Sequence, residues 1–363
     1  MSPTYNTVVV DQNGQADFRS IGDAVRAVAP PARIRVTPGT YRESVVIDKD
    51  IELIGYGPRQ LVVIETRNSD CLSIEADHAI VRSITLRSRG WMWNKFHSLR
   101  ISQGQPHLED CDISGSWHSC VEISGRNTAP VISHSRIHSG QSVGVEFLDK
   151  ACGTMEYCEI RRTNIGVDIG PGCDPALRHC IIRKNNVLGV QFRSGALGTI
   201  DDCDIFSSNR GIDVAPESRP AILRCKVHEC WEGMRIGSRL ETRIVGCEIF
   251  RNRFSGVVVT SQARPCIQGC RILQNRVGMI VTDGAQAEMG DTDISSNEEH
   301  GVEIKDGARL AIHGCSVKCN GIYGLYIDSG GGGTIEMCEF AGNKRSNWAI
   351  SAGCPVEMKA NSG

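Results

Sequence analysis

Glu122, Glu146 and Asp168 each stand between two apolar residues, in VEI, VEF and VDI, and 24 and 22 residues separate them. Asp213 has the same setting in IDV, and Arg100 in LRI. Carboxylates gathered on one face can serve as general acid and base, with a nearby cation to hold an anionic substrate group. Glu122, Glu146, Asp168, Asp213 and Arg100 are therefore the catalytic candidates. The plainer alternative is ordinary salt bridging to arginines in the adjoining turns. A second set mixes rings with cations: SRGWMWNKFHS at 88–98, Trp117-His118, Arg161-Arg162 and Trp231. Exposed aromatics beside positive charge suit sugar stacking, single-stranded nucleic acid or a protein hot spot. Trp91, Trp93, Lys95, Phe96, His97, Trp117, His118, Arg161, Arg162 and Trp231 are accordingly the partner-binding candidates. The alternative is a local cap that buries its own rings.

Both sets sit on a repeat. A small residue recurs at Cys111, Ser135, Cys158, Cys180, Cys203, Cys225, Cys247, Cys270, Thr292, Cys315 and Cys338. Two places on is always apolar, from Ile113 to Phe340, and eight or nine places on is nearly always Gly. Asn returns five places on, at Asn185, Asn252, Asn275, Asn297, Asn320 and Asn343. Apolar residues alternate within each unit, so the units are built of strands with one face buried. Three short strands per 22–23 residues bury a core only by stacking on the next unit. The pattern predicts an all-β, single-stranded parallel β-helix. The thiols would point inward as small apolar filling, because one per coil makes a row rather than a tetrahedral cluster. The Gly is expected at a left-handed or crowded position, and the Asn in a turn.

Upstream, Asp17 to Ser20 leads into IGDAVRAVA, whose Ile21, Ala24, Val25 and Val28 share one helical face before Pro30-Pro31. A short helix capping the solenoid is the expectation. The domain reading is 1–50 for this strand and helix, 51–358 for the β-helix (regular from about 106), and 359–363 for a tail. Aromatics are 5% and glycines number 39, which suits tight turns around a narrow aliphatic core. A net charge of −2 argues against a generic nucleic-acid binder. No stretch nears the roughly 18 apolar residues of a membrane span. Seventeen cysteines behind a start without secretory-signal character point to a reducing, cytoplasmic setting.

DFRSIGDAVRAVAP and IRVTPGTYRESVVIDKDIELIGYG resemble the opening of pectin methylesterases and the wider pectin-lyase-like superfamily. The later units are similar to the β-helix repeats of carbohydrate-binding and sugar-hydrolase proteins, of copper-delivery proteins and of F-box-type ubiquitin-ligase adaptors. The resemblance implies that the parallel β-helix is right-handed and extends over nearly the whole chain. In such enzymes clustered outward carboxylates bind calcium or act as acid and base. The esterase, polygalacturonase and D-P-H-D epimerase signatures are not assembled: Asp201-Asp202 and His313-Gly314 stand alone. The main expectation is thus a non-catalytic recognition or scaffold module whose basic, Trp-decorated edge holds a protein or acidic glycan, without a cofactor or membrane contact. The alternative is a lyase, epimerase or hydrolase of acidic glycans using the carboxylate row, with calcium only in that case. Nucleic-acid binding is the weaker third reading.

Overall fold

The computed structural model describes residues 6–14, 16–90, 95–115 and 117–363. The chain forms two compact units, Met1–Ile182 and Arg183–Gly363. Each is built of short strands in three parallel sheets, here A, B and C, in a right-handed β-helix with very little helix. In the first unit sheet A runs from Asn6–Val10 through Ala32–Val36 to Asp174–Arg178. Sheet B begins at Gly39–Tyr41 and sheet C at Val45–Ile47. In the second unit sheet A ends at Val356–Lys359, B at Glu339–Ala341 and C at Ser346–Ile350. Among the described residues the named strands pair with strands about one coil away, as in Glu248↔Arg271 and Ile249↔Ile272.

The small-residue slot lies inside. Its occupants are at most 2% exposed. Cys111 Sγ lies 3.5 Å from the carbonyl of Glu109, two residues back, and Cys270 Sγ 3.4 Å from that of Gln268. Ser135 and Thr292 donate to the matching carbonyls at 2.8 Å, so a hydroxyl replaces a thiol without leaving a polar group unpaired. Burial pushes the Cys111 thiol up to about 12, and a buried thiol of that kind is inert.

The Asn slot is also interior rather than simply a turn position. Asn275 Oδ1 accepts from the amide nitrogen of Asn252 at 3.0 Å and from its Nδ2 at 2.9 Å, while Asn275 Nδ2 donates to Ile249 O at 3.1 Å. Asn297, Asn320 and Asn343 continue this ladder. The left-handed residue of the turn is the one before: Arg251, Gln274, Ser296 and Cys319. The recurring Gly answers to crowding and not to φ. A Cβ on Gly256 would lie 2.6 Å from Gly278 O, and one on Gly301 2.7 Å from Gly324 O, which no side chain tolerates.

The predicted helix spans Ile21–Ala27 with Ile21, Ala24 and Val25 buried, and it packs on Ala32–Val36 and Val45–Ile47. Its first amides are satisfied twice over. Ser20 Oγ accepts from Asp23 N, and the Glu43 carboxylate accepts from Ile21 N and Gly22 N.

Candidate functional site

Strand Ser119–Ser124 carries the centre of the site. Val121 and Ile123 are fully buried in the core, so Glu122 between them takes the opposite face. Parallel register sets Arg100 beside Glu122 on one side and Glu146 on the other, with Asp168 next to Glu146. The carboxylates predicted to stack therefore do so. They are far less exposed than an outward row should be: 7% for Glu122, 5% for Glu146 and 2% for Asp168. Charges withdrawn from water to that degree require partners.

Glu122 has them. Arg100 Nε donates to Oε1 at 3.0 Å, and His97 Nε2 lies 3.2 Å from Oε2. The His97 hydrogen bond, helped by Arg100 and opposed by burial, holds the carboxyl at about 2. His97 is 1% exposed, which corrects the expectation that it decorates a solvent-facing edge. Three contacts fix it: its amide donates to Asp70 Oδ1 at 2.7 Å, and Nδ1 meets Ser119 O at 3.1 Å and Ser119 Oγ at 2.8 Å. Burial pulls its proton affinity down, but Glu122 and the Ser119 carbonyl outweigh burial and the net shift is upward. As imidazolium, His97 donates from both nitrogens, to Ser119 O and Glu122. Ser119, His97 and Glu122 share the connectivity of a nucleophilic triad. Ser119 is fully buried, however, so its hydroxyl orients the ring and has no route to a substrate.

His118 is the reachable imidazole. Its side chain is 44% exposed, its Nδ1 lies 3.7 Å from Glu146 Oε2, and its ring meets that of His97 edge to face at 5.3 Å. Arg100, with a side chain 46% exposed, also lies 3.8 Å from Asp70 Oδ2. One patch thus offers an accessible imidazole, an accessible guanidinium and a buried carboxylate row. Asp70 and Ser119 were missed in the sequence because neither occupies a slot that the repeat makes conspicuous.

Asp213 belongs to a different network, within the second unit. Arg210 Nη1 donates to it at 2.8 Å and Arg210 Nε to Glu232 at 2.9 Å, with Arg235 closing on Glu232. Here salt bridging accounts for the acid. Burial raises the proton affinity of Asp213 against the pull of Arg210. Several arginines of the expected basic edge are paired with carboxylates. Arg89 and Arg87 converge on buried Glu65 at 3.0 and 3.6 Å, Arg161 pairs with Glu159 at 3.3 Å, and Arg276 with Glu299 at 3.0 Å. Of the other partner-binding candidates, Lys95 and Arg162 are exposed, Phe96 is half-buried, and Trp117 and Trp231 are 41% and 52% exposed. Trp91 and Trp93 lie outside the described residues. Trp348 stands opposite inward Leu325 in the strand register and meets Phe340 edge to face.

At Glu122 no carboxylate oxygen is left for a calcium ion. Each Glu122 oxygen is already taken by Arg100 or His97, and no group of three or more His, Cys, Asp or Glu among the described residues is arranged to hold a metal ion.

Residues 91–222 and 210–362 match the family model described as "Right handed beta helix region". A probable pectinesterase/pectinesterase inhibitor of Arabidopsis thaliana is 26% identical over 188 residues, 45% of this chain. That match spans 31% of the relative's own length. Among solved structures, a mutant of the periplasmic alginate epimerase AlgG aligns with a TM-score of 0.52 at 12% identity, over 90% of this chain and 78% of that one. The A-module of an Azotobacter vinelandii mannuronan C-5 epimerase aligns at 0.46 and 15% identity, over 94% and 93%. At 12% identity the AlgG match speaks for the fold alone.

Proposed function

This chain belongs to the right-handed β-helix family, and from that premise we propose that the Arg100–His118–Glu146 patch is the active site of an enzyme that moves a proton on an acidic polysaccharide. The observation that carries the reading is the pairing of two half-exposed groups, one imidazole and one guanidinium, over a row of carboxylates that is itself closed to solvent. Removing a proton from the carbon next to a sugar carboxylate needs a base, and a cation on that carboxylate to stabilise the charge that develops. His118 would be the base and Arg100 the cation. Glu146 would orient His118 and stabilise its protonated form. Glu122, ionised and held by His97, would keep Arg100 in place. Delivery of a proton to the opposite face of that carbon, from water, gives epimerisation, with His118 keeping the proton it took until solvent removes it. Departure of the neighbouring glycosidic oxygen, taking up a proton as it leaves, gives elimination. The substrate class is carried across from the pectinesterase and alginate epimerase named above. Their kind favours this catalytic reading over the scaffold expected from sequence.

The test is incubation with pectate and alginate, reading unsaturated ends by ultraviolet absorbance and inverted residues by NMR. His118→Ala and Arg100→Ala should each lower turnover by about 10²–10⁴-fold, the usual contribution of a positioned acid–base group. Wild-type turnover in His118→Ala, or none by the wild type on any acidic glycan, would end the proposal.

A further inference from the structure

The second unit carries a ring ladder that the proposed chemistry leaves unused. Trp231 and Phe254 stack in parallel, with planes 4° apart and centroids 5.9 Å apart. The guanidinium of Arg276 lies 5.9 Å from the Phe254 centroid. Phe254 is thus occupied by Trp231 and Arg276, and Trp231 ends the ladder. Trp231 borders a recess of about 520 Å³, lined also by Asn186, Ser207, Asn209, Glu229, Arg251 and Arg253. Asn186, Ser207, Asn209 and Glu229 come from the coils preceding Trp231 or from its own, while the two arginines come from the coil that follows. The indole is half-exposed at 52%, so a large apolar face is kept in water beside amides, a hydroxyl and charges of both signs.

We infer that this recess is a sugar-binding subsite that takes one or two pyranose residues of a glycan chain on the Trp231 face. A pyranose offers an apolar patch of C–H groups on one side and a rim of hydroxyls, each both donor and acceptor. The recess offers the complement: an aromatic face, an acceptor in Glu229, donors in Arg253, and both in Asn209. Arg253 has no ion-pair partner among the described residues, whereas Glu229 already accepts from Ser207 Oγ at 3.3 Å, which holds its carboxylate at the rim. A nucleic-acid strand fits less well, because it calls for successive stacking faces along a positive groove, and here there is one face with a carboxylate beside it. A protein hot spot would have an apolar surround, and this rim is polar. The inference stands on second-unit residues and does not require the activity proposed above.

Calorimetry with tetragalacturonate, tetramannuronate, cellotetraose and mannotetraose tests it, with tryptophan fluorescence as the local readout. At least one tetrasaccharide should bind with a change in fluorescence. Trp231→Ala should weaken the binding that changes the fluorescence at least tenfold, Trp231→Phe less, and Arg253→Ala about fivefold. Binding that is lost in Trp231→Ala supports the subsite even when no turnover is seen. Equal affinity in wild type and Trp231→Ala overturns it even when turnover is robust. So does a failure of all four sugars to bind, or a fluorescence response confined to a thymidine oligonucleotide.

Discussion

His97 and Glu122 set each other's charge, and the two shifts define a pH window. Glu122 is depressed to about 2, so the stability it contributes is complete above the ordinary carboxylate range and is lost as pH falls toward 2. His97 is raised, so its contribution is complete below the ordinary imidazole value of about 6.5 and is lost as pH climbs through the raised value. The pair therefore supports the first unit most fully between about pH 4.5 and 6.5. In Glu122→Gln the force that raises His97 disappears while burial remains, so the His97 titration followed by NMR should move below its wild-type position. His97→Ala leaves Glu122 buried with Arg100 alone and should cost about 3–5 kcal/mol, read as a lowered denaturation midpoint. An unmoved His97 titration in Glu122→Gln would show that the 3.2 Å contact does not govern it.

Strands and turns obey the inward ladders, and there the sequence was readable to the residue. A slot filled by Cys, Ser or Thr every 22–24 residues has one explanation, a narrow interior position, and the structure places it there. The Asn slot was half legible: its recurrence signalled structure, but recurrence alone did not tell a buried amide ladder from a surface turn. Asn297 illustrates the difference. It accepts from Asn275 N at 3.0 Å and Asn275 Nδ2 at 3.2 Å, and donates to Ile272 O at 3.3 Å. Asn297→Ala orphans two donors and a carbonyl in the dry interior, where each unmet group costs about 1–3 kcal/mol. Hydrogen exchange at the Asn275 amide should accelerate at least tenfold, with smaller effects farther along the ladder. Unchanged exchange would mean that the side-chain ladder adds nothing beyond the backbone ladder. The outward slots do not repeat, which is why the candidate site was only partly legible. The alignment of Glu122, Glu146 and Asp168 followed from spacing. The inward turn of His97, and the roles of Asp70 and Ser119, depend on contacts between neighbouring coils that no repeat position marks.

Across the molecule as a whole, the cysteines divide sharply by access. Cys319 alone is exposed, Cys152, Cys266 and Cys354 are half-buried, and the remaining thirteen are buried. A thiol-specific reagent should label Cys319 quickly and those three slowly under native conditions, and reach the thirteen only on unfolding. Rapid native labelling of Cys225 or Cys247 would show that coils open on the labelling timescale.

Each strand finds its partner a short way along the chain: Asn6 opposite Ala32, Glu122 opposite Glu146, Tyr326 opposite Ala349. Among the described residues no strand pairing waits for a distant segment to be synthesised, so each turn, once wound, would offer a template for the next as the chain leaves the ribosome.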